Sequence, residues 1–144
     1  MKKLIIPLLF ICVLSNAQSW KRPVAITLYQ IGTVALGSIG DGLNDEGYKT
    51  AGHVLKAAEV AALVSGPFIF KLGKRDYAPY IATYLGWRIV GYDYLYNATR
   101  GLEWDYLGES NLWDKTFRQF PPHGVTFMRG VVLMVTISIP IKYF

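Results

Sequence analysis

The stretch Thr50–Phe70, TAGHVLKAAEVAALVSGPFIF, decides the fold class. Ala57, Ala61 and Ser65 form one row of small residues at a spacing of four, and Ala58, Ala62 and Gly66 form a second row beside it. Residues four apart stack on one face of a helix with 3.6 residues per turn. Two adjacent rows of small residues therefore describe a flat face on which another helix packs closely, the pattern of helix association in lipid. The same alanines argue against a β-barrel, because alanine is depleted in strands. His53, Lys56 and Glu59 recur at a spacing of three and share a broad polar face near the start of this helix. Pro67 falls where it kinks or ends the helix.

Upstream, Pro23–Gly40 is free of charge, opens with proline at a helix-start position and carries Gly32, Gly37 and Gly40. Glycine costs helix stability in water but lets backbones approach in lipid. Residues 41–47, DGLNDEG, read as the polar turn that ends it.

Downstream, about Pro79–Asn97, Tyr80, Tyr84, Arg88, Tyr92, Tyr96 and Arg100 recur every four residues as a ribbon that drifts slowly around a helix. Asp93 and Asn97 make a second pair beside it. Arg88, Tyr92, Asp93, Tyr96, Asn97 and Arg100 are the candidate polar binding cluster. Its guanidinium groups suit an anionic group and its rings suit stacking, as for a lipid headgroup, a glycan or a protein partner. The plainer use is an interfacial tyrosine belt in which Asp93 and Arg88 satisfy each other. Residues 98–124 form the longest polar stretch, long enough to carry a short surface helix of its own. In Val125–Phe144, Ile137, Ile139 and Ile141 alternate with Ser138 and Pro140, a pattern that fits a strand as well as a helix. A terminal aromatic such as Phe144 is found in outer-membrane barrels, but Phe144 is out of step with that alternation.

At the start of the chain, Lys2 and Lys3 precede an apolar run from Leu4 to Leu14, followed by Ser15-Asn16-Ala17. This is the three-part layout of a secretory signal peptide, residues 1–17, with cleavage after Ala17 and a single helical membrane domain over 18–144. The run is shorter than the roughly 20 residues a membrane span needs. Residues 18–144 are too short for eight membrane strands with their loops.

Composition agrees with a membrane setting. The 144 residues are 52% hydrophobic, 15% aromatic and only 17% charged, against about 25% charged in an average soluble domain. The formal charge of +5 falls to +3 when Lys2 and Lys3 are removed with the leader. No Lys/Arg run exceeds two residues, so nucleic acid is excluded as a partner. The single cysteine, Cys12, lies in the leader, which removes disulfides and thiolate chemistry from the domain.

With four crossings, Lys and Arg number six on one side and four on the other. The more basic side should face the cytoplasm. It includes Lys21 and Arg22, which a cleaved leader would leave outside, so the two signals conflict and the weaker charge bias yields. Lys56, Glu59, Arg88 and Asp93 would then lie at membrane depth, where each central charge costs about 2.5–3.5 kcal/mol unless paired. The expectation is that Lys56 neutralises Glu59 on one helix, and that Arg88 meets Asp93 or Glu59. If no acid lies within reach of Arg88, this segment is not embedded.

Chemistry finds little support. His53, Lys56 and Glu59 form a candidate intramembrane polar face, suited to proton relay or to the wet end of a helix. Two histidines make a poor metal set, and phosphate loops, G-x-S-x-G and C-x-x-C are absent. No catalytic residue, metal or cofactor is expected. The sequence therefore predicts an all-α, polytopic membrane bundle of three to four helices after a signal peptide. It would act as a binding or assembly component in a bacterial-type envelope, its partners the bilayer and a protein or second copy on the Ala57/Ala61/Ser65 and Ala58/Ala62/Gly66 faces. A small membrane enzyme or proton-coupled carrier built on His53, Glu59, Arg88 and Asp93 is the second reading. An exported soluble helical domain, with charged faces on every helix, is the third.

Overall fold

A computed structural model describes residues 21–108 and 112–144, side chains excepted at 112–114 and 122. The expected leader, 1–17, lies outside the described residues. The regular structure of the described residues is all helical, without a strand: α1 Lys21–Asp45, α2 Lys49–Ile69, a 3₁₀ turn Lys74–Asp76, α3 Tyr77–Thr99, a short α4 Leu112–Phe117, and α5 Pro122–Tyr143. Segment 125–144 is thus helix, not strand. Its β-branched residues are outweighed by a run long enough to satisfy every backbone group internally, with Pro122 at the first turn where its missing N–H costs nothing. Two helices, Lys21–Asp45 and His123–Tyr143, are long and apolar enough to cross a membrane.

Three of the helices stop in the same way. The Tyr48 amide bonds the Leu43 carbonyl across Gly47 at φ 91°, and the Leu102 amide bonds the Asn97 carbonyl across Gly101 at φ 63°. This is the Schellman closure, which needs a left-handed residue and normally takes glycine. At the end of α2 the Leu72 amide bonds the Pro67 carbonyl, and the left-handed position is occupied by Lys71 at φ 49°. Pro67 sits in the last turn of α2, where it leaves the helix intact to Ile69. The expected polar turn at 41–47 begins later than the sequence suggested, because α1 continues to Asp45.

The helices run alternately up and down. Gly40 of α1 faces Gly52 of α2, and Tyr29 of α1 reaches Ala62 and Ser65. The pairs α1–α3 run parallel, with Gln30 bonded to the Tyr80 carbonyl and Ser38 to that of Tyr92. On the far side of α3, Gly86 meets Thr136 of α5 and Asp93 meets Arg129. A Cβ on Gly52 would lie 2.7 Å from the Gly40 carbonyl oxygen, so α1 and α2 touch backbone to backbone there.

The distribution of side chains is inverted. Gln30, Thr33, Ser38, Glu59, Thr83, Asn97, Arg129 and Thr136 are buried, while Leu28, Val54, Val60, Val64, Phe68, Phe127 and Met134 each expose more than half their surface. Within the helices, away from their ends, the exposed positions among the described residues carry no charged side chain. A cluster of Ile26, Leu72 and Tyr80, flanked by Leu63, Phe70 and Phe144, closes the end where α1 begins.

Candidate functional site

The centre of the bundle is built on a carboxylate. Glu59 is the middle residue of α2, and Arg88 is the middle residue of α3. Both therefore lie about 15 Å from the helix ends at 1.5 Å per residue. Glu59 is 4% exposed. Its Oε1 accepts from the Tyr84 hydroxyl at 2.6 Å and from Arg88 Nη1 at 2.7 Å, and its Oε2 faces Lys56 Nζ at 2.8 Å. The carboxylate fits only because α1 offers Gly37 opposite, where a Cβ would overlap it.

The network continues one turn toward the α1 C-terminus. Lys56 also reaches Asp41 at 3.1 Å, and Asp41 accepts from the Tyr92 hydroxyl. The Arg88 guanidinium lies 4.2 Å from the centre of the Tyr92 ring, where the ring's negative face attracts it. A turn further on, Tyr96 donates to Asp45, Arg100 donates to the Tyr96 hydroxyl at 2.9 Å, and Arg100 pairs with Asp45 and Glu46. The Tyr96 hydroxyl bonded to it, then these carboxylates, raise the Arg100 pKa above its ordinary value. Tyr92 and Tyr96 stack at 6.4 Å. The regular spacing of Gly37, Asp41 and Asp45 on α1 meets that of Arg88, Tyr92, Tyr96 and Arg100 on α3.

A second ion pair lies on the other face of α3. Asp93 pairs with Arg129 of α5, whose guanidinium sits between the rings of Tyr94 and Phe117 at 5.0 and 5.4 Å. Asn97, fully enclosed, donates to the carbonyls of Trp104 and Tyr106 and so ties down the chain after α3. Among the described residues, six charged side chains thus stand away from the ends of α1, α2, α3 and α5, three acids (Asp41, Glu59, Asp93) and three bases (Lys56, Arg88, Arg129), and each is paired.

The six residues of the candidate polar cluster do not form one site. Arg88 faces α2, and Tyr92, Tyr96 and Arg100 meet acids of α1 and the turn after it, whereas Asp93 and Asn97, one residue further round, serve α5 and the following loop. Arg88 meets Glu59, and Asp93 takes another partner. On α2, Lys56 and Glu59 join the network, but His53 is exposed near the helix start. The four residues His53, Glu59, Arg88 and Asp93 do not converge. Of the small-residue rows, Ala57 and Ala61 are exposed and Ser65 bonds Tyr29, while Ala58, Ala62 and Gly66 lie on the inner side, with Tyr80 against Gly66. Sequence reasoning missed Asp41, assigned to a turn, and Arg129. The spacing of Asp41 and Asp45 from Gly37 was the available signal for the first. Nothing local marked the second.

Comparison of the chain with protein-family models, with curated proteins and with solved structures gives no match.

Proposed function

We propose that the chain is a polytopic protein of a bacterial-type envelope membrane, entering through a signal peptide, whose four long helices all cross the bilayer. It serves there as a binding or assembly component rather than an enzyme. The observation that carries this reading is the inverted side-chain distribution: the helix faces that look outward are apolar, and the charges within the helices look inward and neutralise one another. A soluble domain reverses this order. Helices of 21 to 25 residues span roughly 30–38 Å, matching the hydrocarbon core. Exposed Tyr48, Trp104 and Tyr106 at one end, and Tyr77 and Tyr143 at the other, fit two headgroup belts.

The ion network supports a structural use of the polar groups. Glu59, Arg88, Lys56 and Asp41 satisfy each other, which fixes the register of α1, α2 and α3 in a medium that offers no competing water. The outward row of Ala57 and Ala61 is the proposed contact for a protein partner or a second copy.

The test is fractionation of the tagged protein with an alkaline carbonate wash, reading its mass on the same gel. Retention in the membrane pellet at the mass of residues 18–144 is the expected result. Release into the soluble fraction would overturn the proposal in favour of an exported soluble domain.

A further inference from the structure

At the end of the bundle where α1 begins and α2 and α5 finish, six cations gather: Lys21, Arg22, Lys71, Lys74, Arg75 and Lys142. Contacts across elements place them together. Arg22 donates to the Phe70 carbonyl at 2.8 Å and reaches that of Lys71 at 3.5 Å, and Phe144, two residues beyond Lys142, packs on the cluster of Ile26, Leu72 and Tyr80. All six are exposed. The acid at this end, Asp76, is occupied in accepting the Gly73 amide at 3.0 Å. Among the described residues no salt bridge engages any of the six, so at this end six cationic side chains stand against one acidic side chain.

The opposite end is different. Its described cations, Lys49, Arg100, Lys115 and Arg118, are matched by Asp45, Glu46, Glu103 and Asp105, and Arg100 is paired directly. Among the described residues the excess charge is thus concentrated on one rim. The rim also holds the left-handed Lys71, at the position where the two equivalent turns use Gly47 and Gly101. A backbone conformation that disfavours any side chain is accepted there at a residue whose ammonium faces outward. Exposed Phe68, Tyr77 and Tyr143 ring the same end, with Lys142 Nζ 5.3 Å from the Tyr143 ring.

We infer that this rim binds the phosphate headgroups of anionic phospholipids, with Arg22, Lys71, Lys74 and Arg75 as the contacting cations. Uncompensated cations at one depth repel each other, and a layer of phosphates relieves that repulsion while the aromatic ring sits among the headgroups. The inference rests on the membrane-spanning reading.

The experiment is native mass spectrometry of the full chain purified in detergent and titrated with phosphatidylglycerol or phosphatidylcholine. Phosphatidylglycerol adducts should survive activation that strips phosphatidylcholine. Each Lys or Arg near an anionic surface contributes about fivefold in affinity, so the triple variant Lys71→Gln/Lys74→Gln/Arg75→Gln should weaken phosphatidylglycerol binding roughly 100-fold. Lys49→Gln/Lys115→Gln/Arg118→Gln, neutralised at the other end, should bind as the parent does, with circular dichroism confirming that both variants keep their helices. Equal retention of the two lipids, or equal loss in both triple variants, overturns the inference. Displacement of the lipid by millimolar inorganic phosphate would also overturn it, assigning the rim to a free anion. Failure of the membrane reading would appear separately, as release by carbonate.

Discussion

Replacing Glu59 with alanine removes the acid on which Tyr84, Arg88 and Lys56 converge at 2.6, 2.7 and 2.8 Å. Lys56 loses little, since it keeps Asp41 at 3.1 Å. Arg88 keeps the Tyr84 hydroxyl at 3.2 Å and the Tyr92 ring, but no acid. Breaking a buried pair by removing one partner costs about 3–5 kcal/mol. The lower half of that range is expected, because the Arg88 guanidinium keeps the Tyr84 hydroxyl and the Tyr92 ring as partners. Glu59→Gln preserves the accepting oxygen and should cost about half as much, by the ordinary worth of a hydrogen bond to a charged group. The assay is reversible unfolding in mixed micelles by titration with sodium dodecyl sulfate, followed by tryptophan fluorescence and helical circular dichroism. In a double-mutant cycle, Glu59→Gln with Arg88→Gln should cost less than the sum of the single changes by at least about 1 kcal/mol. A Glu59→Ala cost below about 1 kcal/mol, or additivity of the pair, would refute the view that this cluster holds the three helices in register.

Other positions give sharper contrasts. A Cβ on Gly86 would overlap Thr136 Oγ1, so Gly86→Ala should cost about 1–3 kcal/mol in the same titration. Nothing lies within 4 Å of a Cβ at Gly130, and Gly130→Ala should be neutral or stabilising by up to about 1 kcal/mol. Tyr92→Phe should cost about 1–2 kcal/mol, because it removes the hydroxyl from Asp41 inside the bundle, and Tyr96→Phe less than about 1 kcal/mol, because Asp45 is half exposed. For orientation, a cleaved leader leaves the start of α1 outside, so Lys74→Cys at the same end should react with a membrane-impermeant maleimide on intact cells, whereas Glu103→Cys should react only after lysis, both with Cys12 replaced by serine. The reverse pattern would place the basic end inside, in agreement with the charge rule and against a cleaved leader.

Helical class was legible in the chain because it depends on local spacing. The small-residue rows of 57–66, the uncharged run of 23–40 and the tyrosine ribbon of 80–100 each repeat at the helical period, and a period is a property of neighbours in sequence. The helix stops at Gly47 and Gly101 are equally local, since glycine alone adopts a left-handed conformation at no steric cost. What the sequence left open was which charge meets which. Arg88 had Asp93 within five residues and Glu59 on another helix, and the choice fell to Glu59 because α3 turns Arg88 toward α2 and Asp93 toward α5. That rotation is set by how Gly37, Gly40 and Gly52 let α1 and α2 close together, and by Arg129, which lies 36 residues from Asp93. The identity of the 125–144 segment was undecided for a related reason: its alternating isoleucines satisfy both periods, and the helix is the one that lets Gly86 pack on Thr136 and Asp93 pair with Arg129. Periodicity thus determined the elements, while close packing between helices distant in sequence decided the register, the ion pairs and the gathering of the cations at one end.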